Sequence, residues 1–452
     1  MWIRSIIVGL VVGGVLGFSG PASPDMLIRL KNGKIIRLPY DSQDVETVVF
    51  VDDSGKEIEL KPDHPRKASS PEPGVSARKP TTALPLRPGL PPCPVDICVG
   101  DMWSDGLSHT ADLKRRKRHP LPDGAIIYIA PGRYQYSERH HCTVIYGNRL
   151  TIHGVSGPDG GRPHIFTRPE IRSHRKSLCG KALWVIGGND VTVENLVFSG
   201  AHVAGDNGAG IRLEGINLTV RNSLFYENDM GILGGPGCNP NKVDQRNRDS
   251  FVRIEGSTFK FMRSHNFYVL CVGTLYFIDS ITAANGLPAD ARHDLKGRGK
   301  ILELGGKHLF KSVSHNVVVE NSKFLDTFED YAGHSSFLID MSGCGDIRIA
   351  NSLFMQNSRT DNRTALIHIG TRGCEDAKQG DVPIEISYRN QNRTVRREVF
   401  SNIRFENNRF DDEKGLQSFV KLRANWPVVA AHNTINGKQV GLSDLVSVVI
   451  KP

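Results

Sequence analysis

The stretch Ala182 to Phe225 contains one short unit twice, as Val191-Thr-Val-Glu-Asn-Leu-Val-Phe198 and as Leu218-Thr-Val-Arg-Asn-Ser-Leu-Phe225. Each copy has an alternating strand, an Asn that can adopt a left-handed turn, and an apolar pair closing on Phe. With the turn residue as marker, the unit recurs at Gly154, Asn195, Asn222, Gly256, Asp279, Asn321, Asn351, Asn407 and Asn433, at spacings of 41, 27, 34, 23, 42, 30, 56 and 26 residues. Self-similarity at such a period belongs to stacked repeats, because one unit cannot bury its apolar face alone. The short spacings suit one bare turn of a β-solenoid, and the longer ones suit turns that carry loops. Phe198, Phe225, Phe259, Phe324, Phe354 and Phe410 each fall three residues after a marker, which predicts an internal aromatic column.

A coil of this kind can grow past the ~250 to 300 residues at which a single globular core usually splits, so 452 residues do not force many domains. The net charge of +9 admits an acidic polysaccharide, a nucleic acid or an anionic surface as partner. No nucleic-acid module with its own signature is found, which favours the polysaccharide and argues against nucleic acid. The basic run Lys114-Arg-Arg-Lys-Arg118 reads as a solvated face.

Arg4, the apolar run Ile6 to Phe18 and Ser19-Gly-Pro-Ala22 are the three parts of a secretory signal, so residues 1–22 are expected to direct export to the periplasm or the medium. The run is shorter than the ~20 residues of a spanning helix, and no membrane association beyond it is expected. Eight cysteines in an exported chain are consistent with disulfides of undetermined connectivity, of which Cys93 and Cys98 could close a local loop. Residues 26–60 read as a small β-meander, with an Asn-Gly hairpin turn between Leu27 and Leu38. Residues 61–92 are a Pro-rich, solvated linker. Residues 93–452 form the coil, whose open end a helix between Leu107 and His119 could cap.

A second strand column precedes the markers: Ala182–Ile186, Gly210–Leu213, Gly231–Leu233, Asn266–Leu270, Lys300–Leu304, Phe337–Asp340, Ala365–Ile369 and Phe419–Leu422. Alternation sends every other side chain of these strands outward, with neighbouring rungs ~4.8 Å apart. A groove on this column is where polar groups could assemble. Asp123-Gly-Ala-Ile-Ile-Tyr-Ile-Ala-Pro-Gly-Arg-Tyr134, Asn207-Gly-Ala-Gly-Ile-Arg212, Val220-Arg-Asn-Ser-Leu-Phe225, His265-Asn-Phe-Tyr-Val269, Leu295-Lys-Gly-Arg298 and Ile339-Asp340 together carry a family resemblance. Over roughly residues 123 to 450 the chain resembles the bacterial right-handed parallel β-helix repeat proteins of the pectate-lyase-like superfamily. The resemblance implies an all-β, right-handed parallel β-helix. It leaves activity open, because that superfamily holds lyases, hydrolases, epimerases and binding proteins on one scaffold. Where the family usually has a Lys-Ser-Arg-Ala run, this chain has Lys296-Gly-Arg298-Gly299, which keeps both cations.

The polar residues least explained by coil-building lie between 265 and 340. Cleaving a uronate chain by β-elimination needs a cation against the carboxylate, a base for the C5 proton and an acid for the leaving oxygen. Lys296 and Arg298 are candidates for the cation, His265, or an Arg or Lys held in a dry groove, for the base, and Tyr268 for the acid. Asn266, His293, Asp294, Glu303 and Asp340 are candidates to hold the substrate. Asp340 stands inside an apolar strand, where a carboxylate needs a cationic partner such as Arg298 or Lys296. No cofactor or zinc motif is found, although the acidic set Asp326, Glu329, Asp330 and Asp340 offers oxygens that could hold Ca2+. Two acids of that set facing each other at roughly 5 to 9.5 Å would instead make a hydrolase. The expectation is an exported lyase or C5 epimerase acting on an acidic glycan. The alternative is a non-catalytic glycan-binding or cell-surface structural protein.

Overall fold

The structure, a computed structural model, describes the strand segments 8–10, 26–29, 35–38 and 48–50 in the N-terminal part of the chain. From residue 90 to 448 it describes everything except 137–141, 168–181, 204, 206, 236–248, 271, 285–306, 315, 329–330, 333–334, 342–345, 359, 361–364, 371–383, 391–392, 400–402, 417, 424–425 and 427. The contacts divide the chain into two units, Met1–Pro80 and Thr81–Pro452. In the first, Met26–Arg29 pairs antiparallel with Ile35–Leu38, and Val8–Leu10 pairs antiparallel with Val48–Phe50. Apart from Val8–Leu10, the expected signal segment lies outside the described residues, as does the linker 61–92 up to residue 89.

The second unit is a right-handed parallel β-helix made of three long sheets of 10, 11 and 11 strands. One turn runs through Ala182–Ile186 in the 10-stranded first sheet, Val191–Glu194 in the second and Val197–Ser199 in the third. The next turn repeats this with Ala209–Leu213, Leu218–Arg221 and Leu224–Tyr226, each paired parallel in register with the strand one turn back. Trp184 thus lies against Ile211, Val193 against Val220 and Phe198 against Phe225.

The markers Asn195, Asn222, Gly256, Asp279, Asn321, Asn351 and Asn407 are all left-handed, with φ between 47° and 58°. The two end copies differ from the expected pattern. Gly154 is not left-handed; a Cβ there would collide with the carbonyl oxygen of Asn195. In the last copy the left-handed residue is His432 rather than Asn433. The reason is an internal hydrogen-bond ladder one residue after the marker. Ser223, Ser257, Ser280, Ser322 and Ser352 each give the hydroxyl proton to the carbonyl two residues back, at 2.7–2.9 Å. Each hydroxyl oxygen also accepts the N–H of the equivalent residue on the previous rung, at 3.1–3.3 Å. Asn408 and Asn433 continue the ladder, which places Asn433 inside the coil. Every one of these buried groups is thereby partnered.

The aromatic column forms in two runs. Phe198, Phe225 and Phe259 stack at 5.0 and 4.7 Å, and Phe324, Phe354 and Phe410 at 4.9 and 5.0 Å. Between them Thr282 takes the Phe position, and Phe267, Phe277 and Phe310 fill the space from the other sheets. The segment Leu107 to His119 holds only a four-residue 3-10 turn, Thr110–Leu113, rather than a capping helix. The basic run that follows is mostly exposed and has no apolar face to bury. Cys93 and Cys98 form the local disulfide, Cys142 is also disulfide-bonded, and no cysteine among the described residues is free.

One strand of the first sheet lies elsewhere than its sequence pattern suggests. The strand in register is His308–Val313, not Lys300–Leu304, which falls outside the described residues. In rungs without a long loop the inward residue of this sheet precedes its marker by 11 or 12 positions: Ile211 before Asn222, Phe267 before Asp279, Ile339 before Asn351. Phe310 keeps that interval to Asn321, whereas Ile301 would break it.

Candidate functional site

On the first sheet Ile232, Phe267, Phe310, Ile339, Ile367 and Val420 share one inward register and are fully buried. The next position therefore points outward on every rung. That column begins with Val144, Val185, Arg212, which pairs with Glu214, and Leu233, and continues as the polar run Tyr268, Lys311, Asp340, His368 and Lys421. A parallel column three residues earlier holds His265, His308 and Phe337. Their rings run along the rungs as a stack: His265 to His308 at 5.1 Å, His308 to Phe337 at 5.6 Å and Phe337 to His368 at 4.9 Å.

Asp340 is the hub. Its Oδ2 lies 3.0 Å from Lys311 Nζ and 3.3 Å from His308 Nε2, and its Oδ1 lies 2.8 Å from His368 Nδ1. Arg423 Nε in turn donates to His368 Nε2 at 3.1 Å. With one nitrogen accepting from Arg423 and the other donating to Asp340, His368 is the Nδ1–H tautomer and has both ring nitrogens engaged. The side chains of Asp340, His308, His368 and Lys311 are only 7, 13, 15 and 19% exposed, so these contacts act in a largely dry medium. Burial alone would raise the Asp340 carboxyl, but the His368 hydrogen bond and the nearby His308 and Lys311 hold it well below the usual carboxylate range. Asp340 is thus a fixed anion that positions its neighbours.

Burial pushes His308 down to about 4, against the pull of Asp340. Burial also holds His265 well below the ordinary imidazole value, helped by His308 and Lys311. Both rings are therefore neutral at pH 7. Between about 6.5 and 4 the unfolded chain binds a proton that folded His308 refuses, so stability falls as pH drops through that window. His308→Gln is expected to lose about 2–3 kcal/mol less than the wild type between pH 7.5 and 4.5. Urea midpoints at the two pH values check this, and parallel losses in both proteins would refute it.

Tyr268 and His265 meet edge to face at 5.4 Å, and Lys311 Nζ lies 5.3 Å from the Tyr268 ring centroid. His265 Nδ1 is buried with no hydrogen-bond partner among the described residues. Asn266 does not join this outward set. It is fully buried, and its Nδ2 donates to Phe259 O, Thr282 Oγ1 and Ala283 O at 2.9–3.2 Å. That network explains why Thr282 interrupts the phenylalanine column. His293, Asp294, Lys296, Arg298, Glu303, Glu329 and Asp330 lie outside the described residues. The partners that the structure shows for Asp340 are Lys311, His308 and His368, all absent from the sequence-based candidates. Asp326 is fully buried and bonded to Ser335. Among them, no three His, Cys, Asp or Glu side chains are grouped to hold a metal ion.

No family model and no curated protein sequence matches the chain. Among solved structures it is similar to Escherichia coli YbhC, at 16% identity over 76% of this chain and 90% of that one, with a TM-score of 0.40. A pectin methylesterase in complex with a hexasaccharide is similar at 11% identity over 78% and 93%, with a TM-score of 0.36. The A-module of mannuronan C-5 epimerase AlgE4 from Azotobacter vinelandii is similar at 12% identity over 72% and 91%, with a TM-score of 0.35. Likenesses this remote carry nothing about the chemistry of the Asp340 site. No helix among the described residues is long and apolar enough to cross a membrane.

Proposed function

We propose that the outward column of the first sheet binds an acidic, uronate-containing glycan and that the chain acts on it as a lyase or C5 epimerase. The observation that carries this reading is that Tyr268, Lys311, Asp340 and His368 occupy consecutive rungs of one outward register, with His265 and His308 beside them. An ammonium has three N–H donors, and Lys311 gives one to Asp340. The others can hold a uronate carboxylate, which makes the C5 proton easier to remove. The neutral His265 ring, edge to face with Tyr268, takes that proton. In elimination the C5 electron pair forms the C4–C5 double bond, the C4–O bond breaks, and Tyr268 gives its hydroxyl proton to the leaving oxygen. In epimerisation Tyr268 returns a proton to the opposite face of C5, and no bond to oxygen breaks. Lys296 and Arg298 remain proposed cations of the same site on sequence grounds, and export is proposed from residues 1–22.

The test is an assay of the folded protein on pectate, alginate and glycosaminoglycan, following unsaturated product by absorbance and C5 configuration by NMR. Product or inversion on one of them is expected; neither on any of them would refute the enzyme. The stack of His265, His308, Phe337 and His368 favours one second reading, in which the same wall packs sugar rings without chemistry. Binding without turnover would select it.

A further inference from the structure

The charge along the outward column is uneven. Lys311 is balanced by Asp340, whereas Lys421 and Arg423, farther along the same face, have no carboxylate partner among the described residues. Lys421 is one rung beyond His368 and two beyond Asp340, and it alternates with the buried Val420 and Leu422. Its ammonium is therefore directed to the same face, and both cations are half-buried and accessible. Arg423 is held in place through His368, which leaves its other guanidinium N–H groups available. Ser447 follows Lys421 in register and shares a hydrogen bond of 2.6 Å with Ser418, so the end of the column also carries neutral hydroxyls.

We infer that Lys421 and Arg423 form a second anion subsite, three rungs beyond Lys311, which takes an acidic group of the same glycan about 14 Å farther along its chain than the group at Lys311. The ligand is then a polyanion of several charged sugars, with its reacting unit at Tyr268 and Lys311 and its next recognised charge three rungs beyond Lys311. A single uronate or a disaccharide cannot fill both positions. This inference rests on the acidic-glycan reading above. It adds a length and charge requirement that the reading does not contain.

The test measures binding of di- and hexasaccharides of galacturonate, mannuronate and hyaluronan to wild type and Lys421→Gln by titration calorimetry. Lys421 is half-buried and off the core, and a melting curve confirms that the variant is folded. The wild type is expected to prefer the hexasaccharide of one series, and Lys421→Gln to reduce that preference about tenfold. A preference that survives the substitution, or a wild type that binds both lengths equally, overturns the second subsite while leaving the first intact. Failure of the wild type to bind any of the six probes overturns the subsite and the glycan reading together.

Discussion

Replacing Asp340 by alanine is expected to destabilise the protein by about 3–5 kcal/mol and to remove turnover of an acidic glycan. The carboxylate is almost wholly buried and binds Lys311, His308 and His368. Its loss leaves the Lys311 ammonium desolvated without its anion, and leaves the donating nitrogens of two imidazoles without their acceptor. An exposed ion pair would contribute only ~0–1 kcal/mol, so the size of the effect measures how dry the site is. Urea denaturation at pH 7 decides it: a change below about 0.5 kcal/mol would mean that water reaches these contacts. Asp340→Asn separates charge from shape. The amide oxygen can still accept from His368 Nδ1, but its NH2 faces the Lys311 and His308 donors. Most of the loss should therefore persist in this second variant. Because Asp340 ionises far below its unfolded value, its contribution is complete above about pH 5 and is lost progressively on further acidification, as the unfolded and then the folded carboxyl takes up its proton.

The coil was legible because its signals are local and repeated. Alternation specifies the strands, a left-handed residue closes each rung, and a Phe three residues on fills the interior, as Asn222 and Phe225 show. The serine ladder was missed because Ser223 or Ser280, taken alone, is an ordinary turn residue. Its meaning lies in the rung above, through Ser257 and Ser322. The same ladder explains the misplacement of Asn433, a residue type that suits both the turn and the interior.

The site was legible only in part, for a geometric reason. His265, Tyr268 and Asp340 stand out because they interrupt apolar strands. Their partners become visible only when the strands are aligned in register. Two apolar runs, Ile301-Leu-Glu-Leu304 and Leu309-Phe310, compete for one place in the sheet, and choosing the first hides His308 and Lys311. A constant interval between strand and marker would have selected the second. His368, Lys421 and Arg423 needed no new strand, only the outward alternation of strands already identified, carried across from Asp340. Asn266 misleads in the opposite direction: an amide one residue from His265 points into the coil because side chains alternate faces.

Tyr268→Phe is expected to lower kcat on the acidic glycan by about 10²- to 10⁴-fold, with KM and the unfolding midpoint little changed. The phenol oxygen makes no hydrogen bond among the described residues, so removing it leaves no buried partner unsatisfied. The ring that remains keeps its edge contact with His265 and its place beside Lys311. Only the proton donor is lost, which separates this substitution from Asp340→Ala, where stability and activity fall together. Tyr268→Phe also distinguishes the two chemistries. In a lyase the leaving oxygen must be protonated, and a substrate with a better leaving group at C4 should recover part of the rate. In an epimerase C4–O never breaks, so that substrate gives no recovery. Turnover within about threefold of the wild type would exclude Tyr268 as the acid and shift the proton to another donor in the column, the nearest in register being Lys311.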